Sequence, residues 1–186
     1  MIVAIIIGCI ILLAIVFIWS SYNGLVKLNE RVNEAWSDIT VQLKRRSDLI
    51  PNLVETVKGY AKHEKDAIEA VSEARAKMMG ARTVKATADA DKSFMGALSR
   101  LMAISEAYPE LKANENFKQL SSELSDTEDK IQAARRFYNA GAKELNTKIK
   151  MFPVNIFKGF GFKARDYYEV DDEEKAKIKD APEVKF

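Results

Sequence analysis

Residues 2–46 read IVAIIIGCIILLAIVFIWSSYNGLVKLNERVNEAWSDITVQLKRR. Here a run fit for lipid passes without a break into a polar, amphipathic helix. From Met1 to Val26 there is no Asp, Glu, Lys or Arg, and Ile2 to Trp19 holds only apolar side chains plus Gly8 and Cys9. At ~1.5 Å per residue this stretch is roughly 27 Å long as a helix, close to the ~30 Å hydrocarbon thickness of a bilayer. Ile2, Ile6, Leu12 and Val16 are the expected lipid-facing anchor positions. Trp19 and Tyr22 then stand where aromatic rings favour the headgroup level.

A cleaved signal peptide would need a basic leader and a shorter apolar core, so an uncleaved anchor over 1–22 fits better. Ile6-Ile7-Gly8-Cys9 has the residue types of a lipobox. It comes early, no charge precedes it, and Ile10–Trp19 continues the apolar run. Lys27, Arg31, Lys44, Arg45 and Arg46 follow the span and no cation precedes it. The positive-inside rule therefore predicts a single-pass protein, amino terminus outside and C-terminal domain in the cytoplasm.

Removing the anchor from 186 residues leaves roughly 160, enough for one domain with its own core. A net charge of +2, from 29 cations and 27 anions without long single-sign blocks, argues against nucleic acid as a partner. Cys9 is the sole cysteine, which excludes a disulfide framework. With few prolines and glycines and much Ala, Glu, Lys and Leu, the chain is predicted to be all-α: an N-terminal transmembrane helix continuing into an antiparallel long-helix bundle of three to four helices over 23–170.

Leu25, Leu28, Val32, Trp36, Ile39 and Leu43 mark one helix face, which Val26, Ala35 and Val41 widen. Pro51 then leaves two readings. Ser47 or Asp48 caps a new helix with Pro51 in its first turn, or one long helix bends. The break gives four legs and returns the C-terminal segment to the membrane; the bend gives three and carries it away. Apolar spacing resumes from Asn52 to Met78 and closes at Gly80. A third helix runs from Val84 to Tyr108, before Pro109, its start over 80–91 being small and polar. In the fourth, Phe117, Leu124, Ile131, Tyr138, Leu145 and Phe152 recur every seven residues, the mark of long, nearly parallel packing and coiled-coil character.

Beyond Pro153 the pattern becomes aromatic and glycine-broken. Phe157, Phe160, Phe162, Tyr167 and Tyr168 form either a cap over the bundle end or a contact with the membrane interface. The stretch 171–186 has the composition of a disordered tail.

Several of these stretches together resemble the LemA family of bacterial membrane-anchored helical proteins. They are Tyr22-Asn23 with Leu25-Val26, AWSDITVQLKRRSDLIPNLVETVKGYAKHE over 35–64, FKQLSSELSDTEDKIQAARRFYN over 117–139, Phe152-Pro153, Gly161-Phe162 and Tyr168-Glu169. Two positions depart from the pattern: Leu145-Asn146 stands where a second Tyr-Asn pair is expected, and Tyr167-Tyr168 where Tyr-Phe is more usual. The resemblance implies an amino-terminal span, a helical domain facing the cytoplasm and, through relatives implicated in forming magnetosomes, a hint of membrane organisation. It implies no reaction.

The residues imply none either. His63 is the only histidine, and no zinc, phosphate-loop or nucleophile-elbow motif occurs. No catalytic, cofactor or metal residue is therefore expected. Gln42, Lys44, Arg45, Arg46 and Asp48 form the polar cluster of most interest, with Glu123, Asp126, Glu128 and Arg135 as partners on the last helix. They serve either as a salt-bridge network fixing helix register or as a subunit or anion contact. The leading expectation is a self-associating, homo-oligomeric scaffold with itself and membrane lipid as partners. The alternative is a regulatory or adaptor module that binds another membrane protein or the lipid surface through 151–168.

Overall fold

The computed structural model describes residues 1–169, and the expected tail over 171–186 lies outside them. Among the described residues there are five α-helices and no strand: α1 (Ile2–Tyr60), α2 (Lys65–Gly80), α3 (Val84–Ala107), α4 (Pro109–Ala113) and α5 (Glu115–Lys148). A 3-10 turn over Val154–Phe160 follows. The chain divides into two compact units. One holds Met1–Leu43 and Glu128–Tyr167, the other Lys44–Thr127 with Tyr168 and Glu169.

In the first unit, the apolar start of α1 is unburied, with a mean hydropathy of 3.3 over its most apolar window. It is long and apolar enough to cross a membrane. Past Tyr22 the same helix becomes amphipathic, and Leu25, Leu28, Val32, Ala35, Ile39 and Leu43 are buried at helical spacing. Ile131, Tyr138, Ala142 and Leu145 of α5 are buried likewise. The helices approach closely at Gly141, where a Cβ would stand 3.2 Å from Val32 Cγ2. Two residues depart from the sequence reading: Val41 is exposed, and Phe152, last of the seven-residue series, lies beyond the end of α5 and is also exposed.

In the second unit, α1 continues through Pro51, so the proline does not begin a new helix. The reason lies at Ser47. Proline cannot donate to the carbonyl four residues back, and the helix is ordinarily weakened there. Here the Ser47 carbonyl accepts instead from Arg75 Nε of α2 at 2.8 Å, while the Pro51 ring sits exposed on the outer face.

The first reversal comes at Ala61–Glu64 rather than at Pro51, so the single apolar pattern expected from Asn52 to Gly80 is split between α1 and α2. No glycine or proline marks this turn. It is held by tertiary bonds: Tyr108 Oη donates to Glu64 Oε1 at 3.3 Å, and Asn114 Nδ2 donates to the Tyr60 hydroxyl at 3.0 Å. Thr83 caps α3 by accepting from the Ala86 amide at 3.1 Å, which explains why the small, polar start of that helix is ordered. Pro109 opens α4, where a missing N–H costs nothing. The extra reversal also removes the link drawn between a continuous first helix and a distant C-terminal segment. In the first unit, Phe157 and Phe162 pack edge-on against Tyr22, with ring centroids 5.8 and 5.7 Å away.

Candidate functional site

In the second unit the polar cluster expected around 42–48 resolves into separate roles. Lys44 pairs with Asp48 at 2.7 Å on the exposed surface, an i,i+4 pair of the kind worth ~0.3–0.5 kcal/mol. Arg45 is exposed. Arg46 sits on the apolar stripe of α1, four residues before Ile50, and is fully buried. Its guanidinium donates to Asp91 of α3, itself fully buried, and lies 4.8 Å over the Phe94 ring. Met95 Sδ at 3.2 Å and Met78 Sδ at 3.5 Å accept further bonds. The Tyr168 hydroxyl donates to the second Asp91 oxygen at 2.7 Å. This carboxylate therefore joins α1, α3 and the returning C-terminal chain.

Asp91 was not among the sequence candidates. One signal could have found it, because Asp91, Phe94, Leu98 and Leu101 share one stripe of α3 and all are buried. An acid on one apolar stripe and an arginine on another are complementary. Glu123, expected across from the cluster, is half-buried and accepts from Gln119 at 3.0 Å, and Asp126 is exposed. Tyr108 has its phenol pushed above the ordinary value, by desolvation first and then by the charge and hydrogen bond of Glu64.

In the first unit Gln42 is half-buried, and its Oε1 has no hydrogen-bond partner. Glu128 and Arg135 are half-buried on α5. The unit's main polar feature is a strap over 163–167, within which the sequence candidates included Tyr167 but not Arg165. Arg165 Nη2 donates to Asn29 Oδ1 at 2.9 Å and Asn33 Oδ1 at 2.8 Å, one helical turn apart on α1. The Arg165 amide donates to Asn146 Oδ1, and Asn146 Nδ2 donates back to the Arg165 carbonyl, both at 2.8 Å. Asn146, noted in the sequence only as a departure from a pattern, is thus the residue that ties the strap to α5. Beside it the Tyr138 hydroxyl donates to the Asp166 carbonyl at 2.9 Å. Burial raises the Tyr138 phenol above its ordinary value, with Arg165 opposing and Asp166 adding.

The aromatic segment divides by burial. Phe157 and Phe162 are buried against Tyr22, and Tyr168 is buried in the second unit, whereas Phe160 and Tyr167 are exposed. Of the anchor positions, Ile2, Ile6, Leu12, Val16, Trp19 and Tyr22 are all exposed along one continuous helix. Among the described residues, no three His, Cys, Asp or Glu side chains gather closely enough to hold a metal ion. His63 is exposed on the turn after α1.

The family pattern described as "LemA family" matches residues 35–186. The chain belongs to the LemA family. Similar proteins include magnetosome protein MamQ 2 of Paramagnetospirillum magneticum, 29% identical over 80% of this chain and 64% of its own length. Magnetosome protein MamQ of Magnetospirillum gryphiswaldense is 29% identical over 79% and 64% respectively. Protein LemA of Metamycoplasma hominis is 29% identical over 72% of this chain and 61% of its length. The chain thus spans just under two thirds of these LemA-family relatives. Within the family match lie Arg46, Asp91, Asn146 and Arg165, the residues that carry both polar networks.

Proposed function

We propose that this LemA-family chain is a single-pass membrane scaffold that associates with copies of itself through its helices and performs no catalytic step. The observation that carries the reading is Phe137, a large ring 62% exposed on α5 of the first unit. It borders a shallow groove of about 360 Å³ whose other lining includes Ala35, Gln42, Ala133 and Ala134. Val41, one turn from Asp38 at the same groove, is 58% exposed. Small side chains permit close approach of another helix, and covering the exposed part of the Phe137 ring would contribute on the order of 1–2 kcal/mol. A second copy would cover the ring and offer a partner to Gln42 Oε1.

In this reading the apolar start of α1 anchors the chain, and the cations after it place the bundle on the cytoplasmic side of a bacterial inner membrane. The relatives named as magnetosome proteins favour a role in membrane organisation. The test is light scattering of the full chain in mild detergent. Wild type is expected to be a homo-oligomer, and Phe137→Asp to dissociate at least tenfold more readily with an unchanged melting curve. A monomeric wild type would sink the reading.

A further inference from the structure

We propose that residues 151–160 form a second membrane-contacting element, a loop that enters the near leaflet beside the anchor and takes phospholipid acyl chains as its ligand. The proposal rests on the anchor reading and adds a site to it.

The loop shares a groove of about 760 Å³ with the apolar part of α1, lined on one side by Leu13, Phe17 and Ser20 and on the other by Pro153, Ile156 and Phe157. From Ser20 to Leu13 the helix falls by about 10 Å at 1.5 Å per residue. With Trp19 and Tyr22 at headgroup level, the groove lies in the outer acyl region, the depth at which interfacial elements bury their apolar faces. The loop is built for that depth. Met151 is 56% exposed, Phe152 84%, Ile156 55% and Phe160 69%, a density of bare apolar side chains that water disfavours.

Its backbone also suits a medium without water. Pro153 has no N–H, the Asn155 amide donates to the Met151 carbonyl at 2.8 Å, and the Ile156 amide donates to the Pro153 carbonyl at 3.3 Å. Gly161, in the left-handed region at φ 93°, turns the chain back, and Phe162 then packs on Tyr22. Exposed Lys27, Lys150 and Lys163 flank the loop in sequence or at the span's exit, where ammonium groups meet phosphate headgroups. Continuity with the span is what selects lipid over a protein partner. A loop that lines the same groove as the anchor shares the anchor's surroundings.

The test uses the full chain reconstituted in phosphatidylcholine and phosphatidylglycerol vesicles that contain lipids brominated near the upper acyl chain. Three single-tryptophan forms are read: Trp19 alone (W36F), Phe152→Trp with both native tryptophans changed to Phe, and Phe137→Trp in the same background. Ile156→Trp serves as a second loop reporter should the first fold poorly by circular dichroism. At least twofold quenching is expected at Trp19 and at the loop reporter, with none in the Phe137→Trp form. Quenching of Trp19 with an unquenched loop reporter overturns the loop while leaving the anchor standing. An unquenched Trp19 overturns the anchor reading itself, and the loop with it.

Discussion

The two units solve the same problem, fixing where the returning chain docks, with opposite chemistry. In the second, a charge pair is buried between α1 and α3 with Met78 of α2 against it, and Tyr168 reaches its carboxylate. In the first, two helices hold a strap through amides, and the one charged group involved, Arg165, bonds to neutral Asn29 and Asn33. The second unit buries most of its large apolar groups among its own helices, leaving Tyr60 and Met79 partly exposed. The first leaves Val41, Phe137, Met151, Phe152, Ile156 and Phe160 exposed. A buried ion pair has one good arrangement and a high cost for any other, whereas an amide network near the surface can exchange its partners for water. In the reading proposed above, the difference separates a self-contained unit from one whose remaining surface would meet lipid and other copies.

The sharpest way to break this contrast is to unpair the second unit. Asp91→Ala leaves Arg46 buried among Phe94, Met78 and Met95 without its counter-charge. The expected loss is about 3–5 kcal/mol, read as a fall in the urea midpoint of the detergent-solubilised chain. The double replacement Arg46→Met with Asp91→Leu should recover most of that loss, because it removes both charges and keeps the volume. A double variant as unstable as Asp91→Ala would mean that the pair stabilises through something other than mutual compensation.

This pair also marks where sequence reading stops. The apolar stripes of α1 and α5 were legible because helical spacing fixes a face: Leu25, Leu28, Val32, Ile39, Ile131 and Leu145 are all buried as expected. Family membership was legible from contiguous motifs. The partner of Arg46 was not, since pairing across 45 residues depends on which reversal the chain takes, and the reversal at Ala61–Glu64 carries no glycine or proline. Pro51, the residue that does signal a break, is overruled by a donor 28 positions from the carbonyl it strands. Asn146 and Arg165 were missed for the same reason, their bonds spanning an irregular segment in which periodicity says nothing.

A middle-sized effect tests the bond that permits α1 to pass Pro51. Arg75→Met keeps the apolar stem and removes the donor, leaving the Ser47 carbonyl unsatisfied in a part-buried setting. The expected cost is about 1–3 kcal/mol in the same denaturation assay. Combining it with Pro51→Ala restores the ordinary helix bond and should reduce the loss to near that of the lost side-chain packing. Hydrogen exchange gives the local view. In the single variant the amides of 47–60 should exchange faster, and in the double variant they should be protected again.

The smallest effect compares the units through one tyrosine in each. Tyr138 in the first and Tyr108 in the second both have phenols raised above 10.0, chiefly by desolvation. A raised folded value means that the folded state holds the proton more tightly than the unfolded chain does. The resulting stability is fully present below an unfolded value of about 10 and is lost as pH rises through the higher folded value. Unfolding midpoints should therefore be insensitive to these groups at neutral pH and decline above pH ~10. Tyr138→Phe should flatten part of that decline, and at neutral pH cost about 1 kcal/mol for the lost bond to the Asp166 carbonyl. Tyr108→Phe should flatten the decline less, since water reaches Tyr108 more freely. An equal response from the two variants would mean that the strap does not desolvate Tyr138. The first unit would then be held less by its C-terminal strap than by the direct packing of α1 on α5 at Gly141.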